Sequence, residues 1–383
     1  MKIINLSSIA NPISISVQNP SRSDYDRFIG LEHYDSGEPV ITRFQGTELL
    51  TTSAKAFKAN DILIARRNVY LKRAGIVFFD GITSGDSIIL RLKEDTQKTI
   101  GYSREDLIRY IPFMLNSEHF WIYANKHADG MNSKRISKDT LLEYEFELPS
   151  IDEMRDISDK LWAAYRLKEA YKKLLVTTDE MVKSQFIEMF GKANMRKLDN
   201  YIQVIRGVSY KPSDVKTATD TNTVIILRSN NINDANLNTD EIVYINKDRV
   251  SEEQYIRIND IVVCASNGSK ALVGKAAINK HLKDKYAHGA FCLLVRPNEG
   301  INPMYLSMFF QTSLYKKQID ELAAGSNILN IKQEHLTNLV LPLPSMEEQD
   351  KFAKIVKQAD KSKFELKQCI ENIDKVIKSL ING

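Results

Sequence analysis

The sequence predicts an α+β protein in which two similar mixed α/β domains are separated and joined by two long helices that pair as an antiparallel coiled coil. Three observations predict this fold: half-length blocks of the chain repeat, each block ends in Leu-Pro-Ser, and a heptad pattern of apolar residues follows each Leu-Pro-Ser. The predicted boundaries are 1–149 for the first domain, 150–191 for the first long helix, 192–344 for the second domain and 345–383 for the second long helix.

The repeat is clearest in the segment that precedes each helix. One copy starts at Gly130 and reads GMNSKRISKDTLLEYEFELPSIDEM, and the other starts at Gly325 and reads GSNILNIKQEHLTNLVLPLPSMEEQ. Further upstream, AFKANDILIARRNVYLKRAGIVFFDG corresponds to YIRINDIVVCASNGSKALVGKAAINK, and each predicts two strands joined by a polar loop. The upstream blocks match at a longer offset than the downstream blocks, so we expect a repeated fold with insertions in its surface loops.

The two helices are predicted from their caps and their periodicity. Ser150 and Ser345 are the predicted N-caps because acidic residues follow each in the first turn, and Gly191 is the predicted C-cap of the first helix. Helices of about 35 residues extend roughly 50 Å. The predicted seam of the second helix is Phe352, Ile355, Ala359, Ser362, Leu366, Cys369, Ile373, Val376 and Leu380. The equivalent seam of the first helix is Ile157, Lys160, Ala164, Leu167, Tyr171, Leu174, Thr178, Met181 and Gln185. The first helix has a wider apolar stripe, typical of a helix that also packs on a globular domain, which adds Leu161, Tyr165, Leu175, Val182, Phe186 and Met189.

Composition restricts the function classes without selecting one. The formal charge of +4 and the pI near 8.6 are mildly basic, which permits nucleic-acid binding but does not require it. We expect a cytoplasmic protein because the sequence shows neither a membrane-spanning stretch nor a signal-peptide pattern. Cys264, Cys292 and Cys369 are expected to be reduced thiols. The histidines lack ligand spacing, so no metal and no cofactor is expected.

Known catalytic motifs are missing from the sequence. A Pro-Pro-aromatic methyltransferase loop is absent, as is a GxxxxGK[ST] phosphate loop, which argues against the chain being a methyltransferase or an ATP-driven motor. Scattered acidic residues leave a nuclease centre open as an alternative. Two unequal domains held by a helical spacer suit an asymmetric, split DNA target, because the major groove returns to one face about every 10 base pairs.

The second copy carries a specific resemblance. Its pattern Gly325-Ser326, Ile331, Leu336, Leu341-Pro342-Leu343-Pro344 and Glu348-Gln349, leading into a long helix, resembles the end of a target recognition domain in the specificity subunits of type I restriction-modification enzymes. The segment from Leu198 to Tyr210 is similar to the start of such a domain. The first copy keeps Gly130, Ile136, Leu141, Leu148-Pro149 and Glu153. It departs from the pattern in having a single Leu-Pro where the second copy has two in succession, and in having Met154 where glutamine is usual.

The resemblance implies a subunit without chemistry of its own. Its two target recognition domains would bind the halves of a bipartite, asymmetric site in double-stranded DNA. Its helices would dock two adenine-N6 methyltransferase subunits, and motor-nuclease (restriction) subunits would join them. The partners would then methylate or cut DNA at the sites that this subunit selects.

Candidate DNA-binding residues cluster in corresponding places of the two domains. Arginine and asparagine can bond base edges in pairs, and lysine or tyrosine can reach phosphates. In the first domain the candidates are Arg66, Arg67, Asn68, Tyr70, Lys72 and Arg73 in the loop between the predicted strands, and Asn132, Ser133, Lys134 and Arg135 after Gly130. In the second domain they are Arg206, Arg228, Asn230, Asn231, Asn267, Ser269, Lys270, Ser326 and Asn327. A solvated hairpin and an ordinary helix-capping loop are the alternative interpretations of these clusters.

Three other functions stay open from the sequence alone. One is a stand-alone restriction endonuclease with two DNA-binding domains, and a second is a coiled-coil adaptor that binds proteins. The third is the specificity subunit of a related system whose methylase and nuclease are fused in one chain.

Overall fold

The computed structural model describes residues 2–131, 133–216, 222–233, 235–283, 285–323 and 330–382. The chain divides into two compact units, one formed by residues 1–172 together with 367–383 and the other by residues 173–366. Each long helix therefore contributes residues to both units.

The first unit contains ten strands and four short helices among its described residues. Its strands are β1 (Lys2–Asn5), β2 (Ala10–Ile13), β3 (Ile15–Val17), β4 (Phe28–Ile29), β5 (Ala54–Phe57), β6 (Ile62–Ala65), β7 (Ala74–Ile76), β8 (Gly81–Thr83), β9 (Ser87–Leu92) and β10 (Glu145–Leu148). Its short helices are α1 (Thr96–Thr99), α2 (Arg104–Met114), α3 (Glu118–Lys126) and α4 (Lys138–Leu142). The strands form two four-stranded sheets, in the orders β2-β9-β6-β7 and β3-β5-β8-β4, and the pair β1-β10.

The second unit repeats this plan with a larger main sheet. Its strands are β11 (Met195–Lys197), β12 (Ile202–Arg206), β13 (Val215–Lys216), β14 (Thr223–Leu227), β15 (Ile232–Asn233), β16 (Asn236–Leu237), β17 (Val243–Asn246), β18 (Ile261–Cys264), β19 (Ala276–Ile278), β20 (Tyr286–His288), β21 (Cys292–Pro297) and β22 (Val340–Pro342). Its short helices are α6 (Pro303–Phe309), α7 (Ser313–Ala323) and α8 (Gln333–Thr337). The sheet orders are β12-β21-β18-β19-β16-β15, β13-β17-β14-β20 and β11-β22. The long helices are α5 (Ile151–Phe190) and α9 (Met346–Asn382), referred to below as the first and second long helix.

Both units contain the same buried ion pair beside the main sheet. Arg91 of β9 donates two hydrogen bonds to Asp61 at 2.8 and 2.7 Å, and Arg296 of β21 donates two to Asp260 at 3.0 and 2.7 Å. Each aspartate follows an asparagine in the left-handed conformation, with φ of 70° at Asn60 and 73° at Asn259. The predicted repeat of Asn-Asp turn and strand is therefore a repeat of structure.

Both long helices begin as the sequence predicts. Ser150 Oγ accepts the backbone N–H of Glu153 at 3.4 Å, and the Glu153 carboxylate accepts the backbone N–H of Ser150 at 3.0 Å. Ser345 and Glu348 form the same reciprocal bonds at the same distances. Two N–H groups that a helix start leaves without a partner are thus satisfied in each capping box. The first long helix ends at Phe190, directly before Gly191.

The long helices pair antiparallel within each unit. In the first unit, Leu161 and Ile377 are buried in one apolar cluster. In the second unit, the rings of Phe186 and Phe352 lie 5.5 Å apart. Early residues of one helix therefore meet late residues of the other, and the predicted α+β fold with an antiparallel helix pair is confirmed.

The predicted seam of the first long helix is partly wrong. Leu167, Leu174 and Met181 are 45%, 47% and 53% exposed, whereas Leu161 and Val182 are buried. The buried line runs one residue later than predicted because the helix packs on the globular part of its unit as well as on the other helix. In the second helix, Val376 of the predicted seam is likewise exposed and Ile377 is buried. The predicted wider stripe is confirmed for Leu161, Val182 and Phe186 but not for Met189, which is 43% exposed.

Within these described ranges, no helix combines the length and the apolar character needed to cross a bilayer.

Candidate nucleic-acid interface

The loop between β6 and β7 is a rigid turn that carries polar side chains outward. Val69 is buried and anchors it, while Tyr70 is 60% exposed. Asn68 and Lys72 adopt the left-handed conformation at φ of 55° and 50°, on either side of a single 3-10 turn. The Arg73 guanidinium fixes the loop by donating to the carbonyl oxygens of Leu31 and Arg67 at 2.9 and 3.0 Å.

The segment after Gly130 lies directly against this loop. The backbone N–H of Asn68 donates to the carbonyl oxygen of Lys134 at 2.8 Å, and Arg67 Nε donates to Ser133 Oγ at 2.9 Å. Gly130 has φ of 116°, and a Cβ at this position would lie 2.9 Å from the carbonyl oxygen of Ser133, so the turn requires glycine. Two clusters that are far apart in the sequence therefore form one surface, the first-unit surface, whose described candidate residues are Arg66, Arg67, Asn68, Tyr70, Lys72, Arg73, Ser133, Lys134 and Arg135.

One carboxylate organises the positive charge of the first-unit surface. Asp86 Oδ2 lies 3.9 Å from Arg67 Nη1, and Asp86 Oδ1 lies 3.6 Å from Arg135 Nη2. Both arginine side chains remain nearly half exposed. Their separation from Asp86 is longer than a good hydrogen bond, so both guanidinium groups keep donors available for an anionic or base-edge partner.

The second unit has an equivalent loop between β18 and β19. Asn267 Nδ2 donates to Ser229 Oγ at 3.0 Å, and Asn267 Oδ1 accepts the backbone N–H of Ser269 at 3.0 Å. Lys270 begins the 3-10 turn that follows. The loop therefore contacts the segment after β14, where other candidates lie.

The segment after β14 has one structural residue and two surface residues among the candidates. Asn231 is fully buried, and its side chain donates to the carbonyl oxygen of Glu241 at 3.2 Å and accepts the backbone N–H of Arg228 at 2.8 Å. Asn231 thus positions the segment. Asn230 Nδ2 donates to the carboxylate of Glu241 at 2.7 Å, and Arg228 Nη2 lies 3.9 Å from the same carboxylate.

Arg206 lies at the end of β12, where its Nε donates to Gln333 Oε1 at 2.8 Å. Three candidates, Asn132, Ser326 and Asn327, lie outside the described residues.

Sequence reasoning missed Phe291, which is 69% exposed beside the second-unit loop. Its carbonyl oxygen accepts the backbone N–H groups of Ala265 and Ser266 at 2.9 and 3.1 Å. In the first unit the carbonyl oxygen of Asp86 accepts the N–H of Arg66 in the same way, at 2.9 Å. The two surfaces are therefore built on one backbone frame, with an aromatic ring in one unit where the other has a carboxylate. The only sequence signal was an aromatic residue directly before a buried strand.

The two cysteine thiols near the second-unit loop are buried. Burial raises the pKa of the Cys264 thiol to about 11 and that of Cys292 to about 12, so both are protonated and unreactive near neutral pH. The part of the chain that the structure describes contains no group of three or more His, Cys, Asp or Glu side chains placed to hold a metal ion.

Comparison with known proteins gives a family-model match in the second half of the chain and a solved structure with the same fold. Residues 193–375 match the family model of the type I restriction modification DNA specificity domain. The StySPI type I specificity subunit of Salmonella potsdam is 37% identical over 169 residues, which are 43% of this chain and 36% of that protein. The EcoKI type I specificity subunit of Escherichia coli K12 is 33% identical over 184 residues, 47% of this chain and 39% of that protein. The matched region thus spans well under half the length of these relatives.

A solved structure from work on complex assembly and conformational transition of the type I R-M system has the same fold along the whole chain. It superposes with a TM-score of 0.58 at 15% identity, covering 99% of this chain and 96% of that one. Residues 193–375 are thus similar to the DNA specificity domain of type I restriction-modification systems, and the chain as a whole shares the fold of a solved structure from work on such a system.

Proposed function

We propose that this chain reads a bipartite, asymmetric DNA sequence as the non-catalytic specificity subunit of a type I restriction-modification enzyme. The observation that carries the proposal is the pair of equivalent surfaces, one in each unit, built on one backbone frame with different side chains. Equivalent frames allow both units to approach a duplex in the same manner. Different side chains select different half-sites.

Within the first-unit surface, side chains divide into readers and supports. Arg67, Arg135, Tyr70, Lys72 and Lys134 are exposed and provide donors for base edges or phosphates. Asn68 and Arg73 are half-buried and hold the loop. Around the loop between β18 and β19 of the second unit, Arg228, Asn230, Ser269 and Lys270 are the proposed readers, and Asn267 holds the loop. Phe291 offers an aromatic face against sugar or base.

Specificity subunits of this family bind DNA and assemble with other subunits, and the proposed partners here are two adenine-N6 methyltransferase subunits and motor-nuclease subunits in the cytoplasm. The first long helix supports this proposal because Leu167, Leu174 and Met181 recur at every seventh position and are about half exposed. An exposed apolar row of this kind suits docking of a partner helix.

Single-molecule methylation mapping tests the proposal. DNA from cells that express this chain with the methyltransferase encoded beside it is compared with DNA from cells that lack only this chain. We expect N6-methyladenine at one split, asymmetric motif in the first sample alone. No new motif in cells that produce both proteins would contradict the proposal, and cleavage by the purified chain would then favour a stand-alone endonuclease.

A further inference from the structure

Two ion pairs cross between the long helices, one within each unit. In the first unit, Lys168 of the first helix donates to Asp374 of the second helix at 2.5 Å. In the second unit, Lys363 of the second helix donates to Asp179 of the first helix at 2.6 Å. The Lys168 side chain is only 9% exposed, and a charge with so little access to water requires a partner.

The two ion pairs occupy equivalent positions in the two copies of the repeat. Lys168 lies as many residues after the capping Ser150 as Lys363 lies after the capping Ser345, and Asp179 and Asp374 correspond in the same way. Each helix therefore supplies the lysine of one pair and the aspartate of the other. Equal Lys-to-Asp separations on the two helices allow both pairs to form together only when the helices are antiparallel.

Each pair is also tied to the globular part of its own unit. Lys168 Nζ lies 2.6 Å from Glu38, and Lys172 Nζ lies 2.9 Å from it. Burial alone would raise the pKa of Glu38, but the bonds from these two lysines outweigh burial and hold the pKa below its ordinary value. In the second unit, Lys280 donates to Asp360 at 2.8 Å, and Asp360 lies 3.2 Å from Lys363.

A slip of the helices by one heptad in one direction would oppose like charges. Counting along the observed register, Lys168 would then face Lys367, and Lys363 would face Lys172. The aspartates would face apolar side chains, namely Val356 and Leu161. Both lysines would lose the aspartate of the other helix and meet another positive charge.

A slip in the other direction would place every one of the four charges against an apolar side chain. The facing residues would be Ile381, Phe186, Ile370 and Leu175. A heptad slip leaves the apolar stripes of two helices in contact, so apolar packing alone discriminates weakly between registers. Loss of the facing charge is most unfavourable at Lys168, whose side chain is 9% exposed, and less so at Lys363, Asp374 and Asp179, which are 24%, 40% and 48% exposed.

We propose that Lys168, Asp374, Lys363 and Asp179 set the register of the long helices and act as positioning residues for DNA reading. The register itself stands on the contacts above, and only its effect on DNA rests on the proposed function. If the register of the two helices is fixed, each half-site is read at a fixed position along the helices. The spacer between the half-sites then has a single length.

Distances between spin labels test the register without DNA or partner subunits. The labels are placed on cysteines that replace the exposed Glu180 and Lys361, in a chain that carries Cys369→Ser. The variant combines K168M, D374L, K363M and D179L, which keeps an apolar interface. Wild type should give one distance population, and the variant should add a second, displaced by about 10 Å along the axis at about 1.5 Å per residue. A single, wild-type distribution in the variant would overturn the proposal.

The matched control replaces an exposed ion pair within one helix, Lys160 with Asp156, by methionine and leucine. This control should keep the single distance population. If the fourfold variant does not fold, K363Q, D179N and their combination give the answer from unfolding equilibria. Each single change leaves a charge without its partner on the other helix, so the double variant should lose less stability than the two single losses added together. Additive losses would count against a register role.

Methylation mapping with the fourfold variant connects the register to DNA. We expect the motif to appear with more than one spacer length. If the labels report two registers while the motif keeps one spacer, the positioning role is refuted. If wild type directs no methylation, the proposed function fails while the label distances still decide the register.

Discussion

Asp86 holds Arg67 and Arg135, two of the proposed reading residues, without occupying all the hydrogen-bond donors of either guanidinium group. Asp86 attracts both guanidinium groups from 3.9 and 3.6 Å, and Ser133 Oγ takes only the Nε donor of Arg67. The arginines are thus oriented before any ligand arrives. Orientation in advance reduces the conformational entropy that binding costs.

Replacing Arg67 by alanine should weaken DNA binding or relax base preference at one half-site while folding is unchanged. Loss of a bidentate contact with a base should cost about 1–3 kcal/mol of discrimination, whereas loss of a phosphate contact should reduce the slope of log K against log salt concentration by about one. Binding of the chain with its methyltransferase to a panel of duplexes at several salt concentrations separates the two cases. Arg166→Ala, an exposed change on the first long helix, is the control. Equal affinity for the whole panel in both variants would remove Arg67 from the surface.

His288 gives the second unit a pH-dependent stability. It is fully buried, its Nε2 lies 3.2 Å from the carbonyl oxygen of Ile205, and burial lowers its pKa from 6.5 to about 4. The unfolded chain therefore takes up the proton at higher pH than the folded chain. The stabilisation is complete above about pH 6.5 and declines as the pH falls towards 4, by about 3 kcal/mol in total.

Urea unfolding of wild type and His288→Gln between pH 7 and pH 4 measures this contribution. Glutamine keeps a donor for Ile205 but does not titrate in this range. Carboxylates also titrate in this range, but they affect both proteins equally. One example is Asp106, because the hydrogen bonds from Arg155 hold its pKa below the ordinary value. The wild type should lose more stability than the variant over this interval, and parallel pH profiles would assign the slope to other groups.

For single residues, the sequence predicted which groups a side chain can bond better than it predicted whether that side chain is buried. It selected Arg66–Arg73 and Asn132–Arg135 as separate clusters, and only the fold brings their described members together, because the contact joins loops that are distant in the chain. It also selected Asn231, which the fold buries, and passed over Phe291, which the fold exposes. Residue type signals what a side chain can bond, whereas exposure is decided by tertiary packing.

At the scale of the elements, local signals were reliable where the energetics are local. Both helix starts follow from Ser-x-x-Glu, since a capping box is satisfied within a few residues. The seam of the first long helix could not be placed in the same way. Its buried side faces two neighbours at once, and the periodicity of one helix does not state the direction of the second neighbour.

The misplaced seam residues lead to a prediction about partner docking. Changing Leu174 and Met181 together to serine should weaken binding of the proposed methyltransferase subunit by roughly fivefold per residue, since burying the exposed half of each side chain is worth about 1 kcal/mol. Unfolding stability should change little. Titration of the fluorescently labelled chain with that subunit gives the affinities. The control is Leu49→Ser, a change at a loop residue that is 93% exposed. Undiminished affinity of the double variant would move the docking site elsewhere.

At the scale of the whole molecule, the repeat is what the sequence predicted best. Motifs that occur twice, Asn-Asp, Gly-x-Asn and Leu-Pro-Ser, identify two copies of one domain and helix. The equivalent Arg91–Asp61 and Arg296–Asp260 ion pairs show that the two copies share a core arrangement. The spacing of two half-sites lies beyond such signals, because it depends on the register of the helices. The four residues that we propose to set this register provide a way to change the spacing deliberately.

Inserting seven residues between Lys168 and Asp179, and seven between Lys363 and Asp374, lengthens both helices while keeping their Lys-to-Asp separations equal, so both ion pairs can still form. If the length of the helices sets the distance between the half-sites, the motif found by methylation mapping should keep both half-sites and have a spacer that is longer by about three base pairs. Seven residues add about 10 Å, and each base pair takes about 3.4 Å. Insertion in one helix alone is the control. It makes the two separations unequal, so only one pair can form in any register, and stability and methylation should both fall. An unchanged spacer after the double insertion, with methylation intact, would show that the helices hold the units without measuring the DNA.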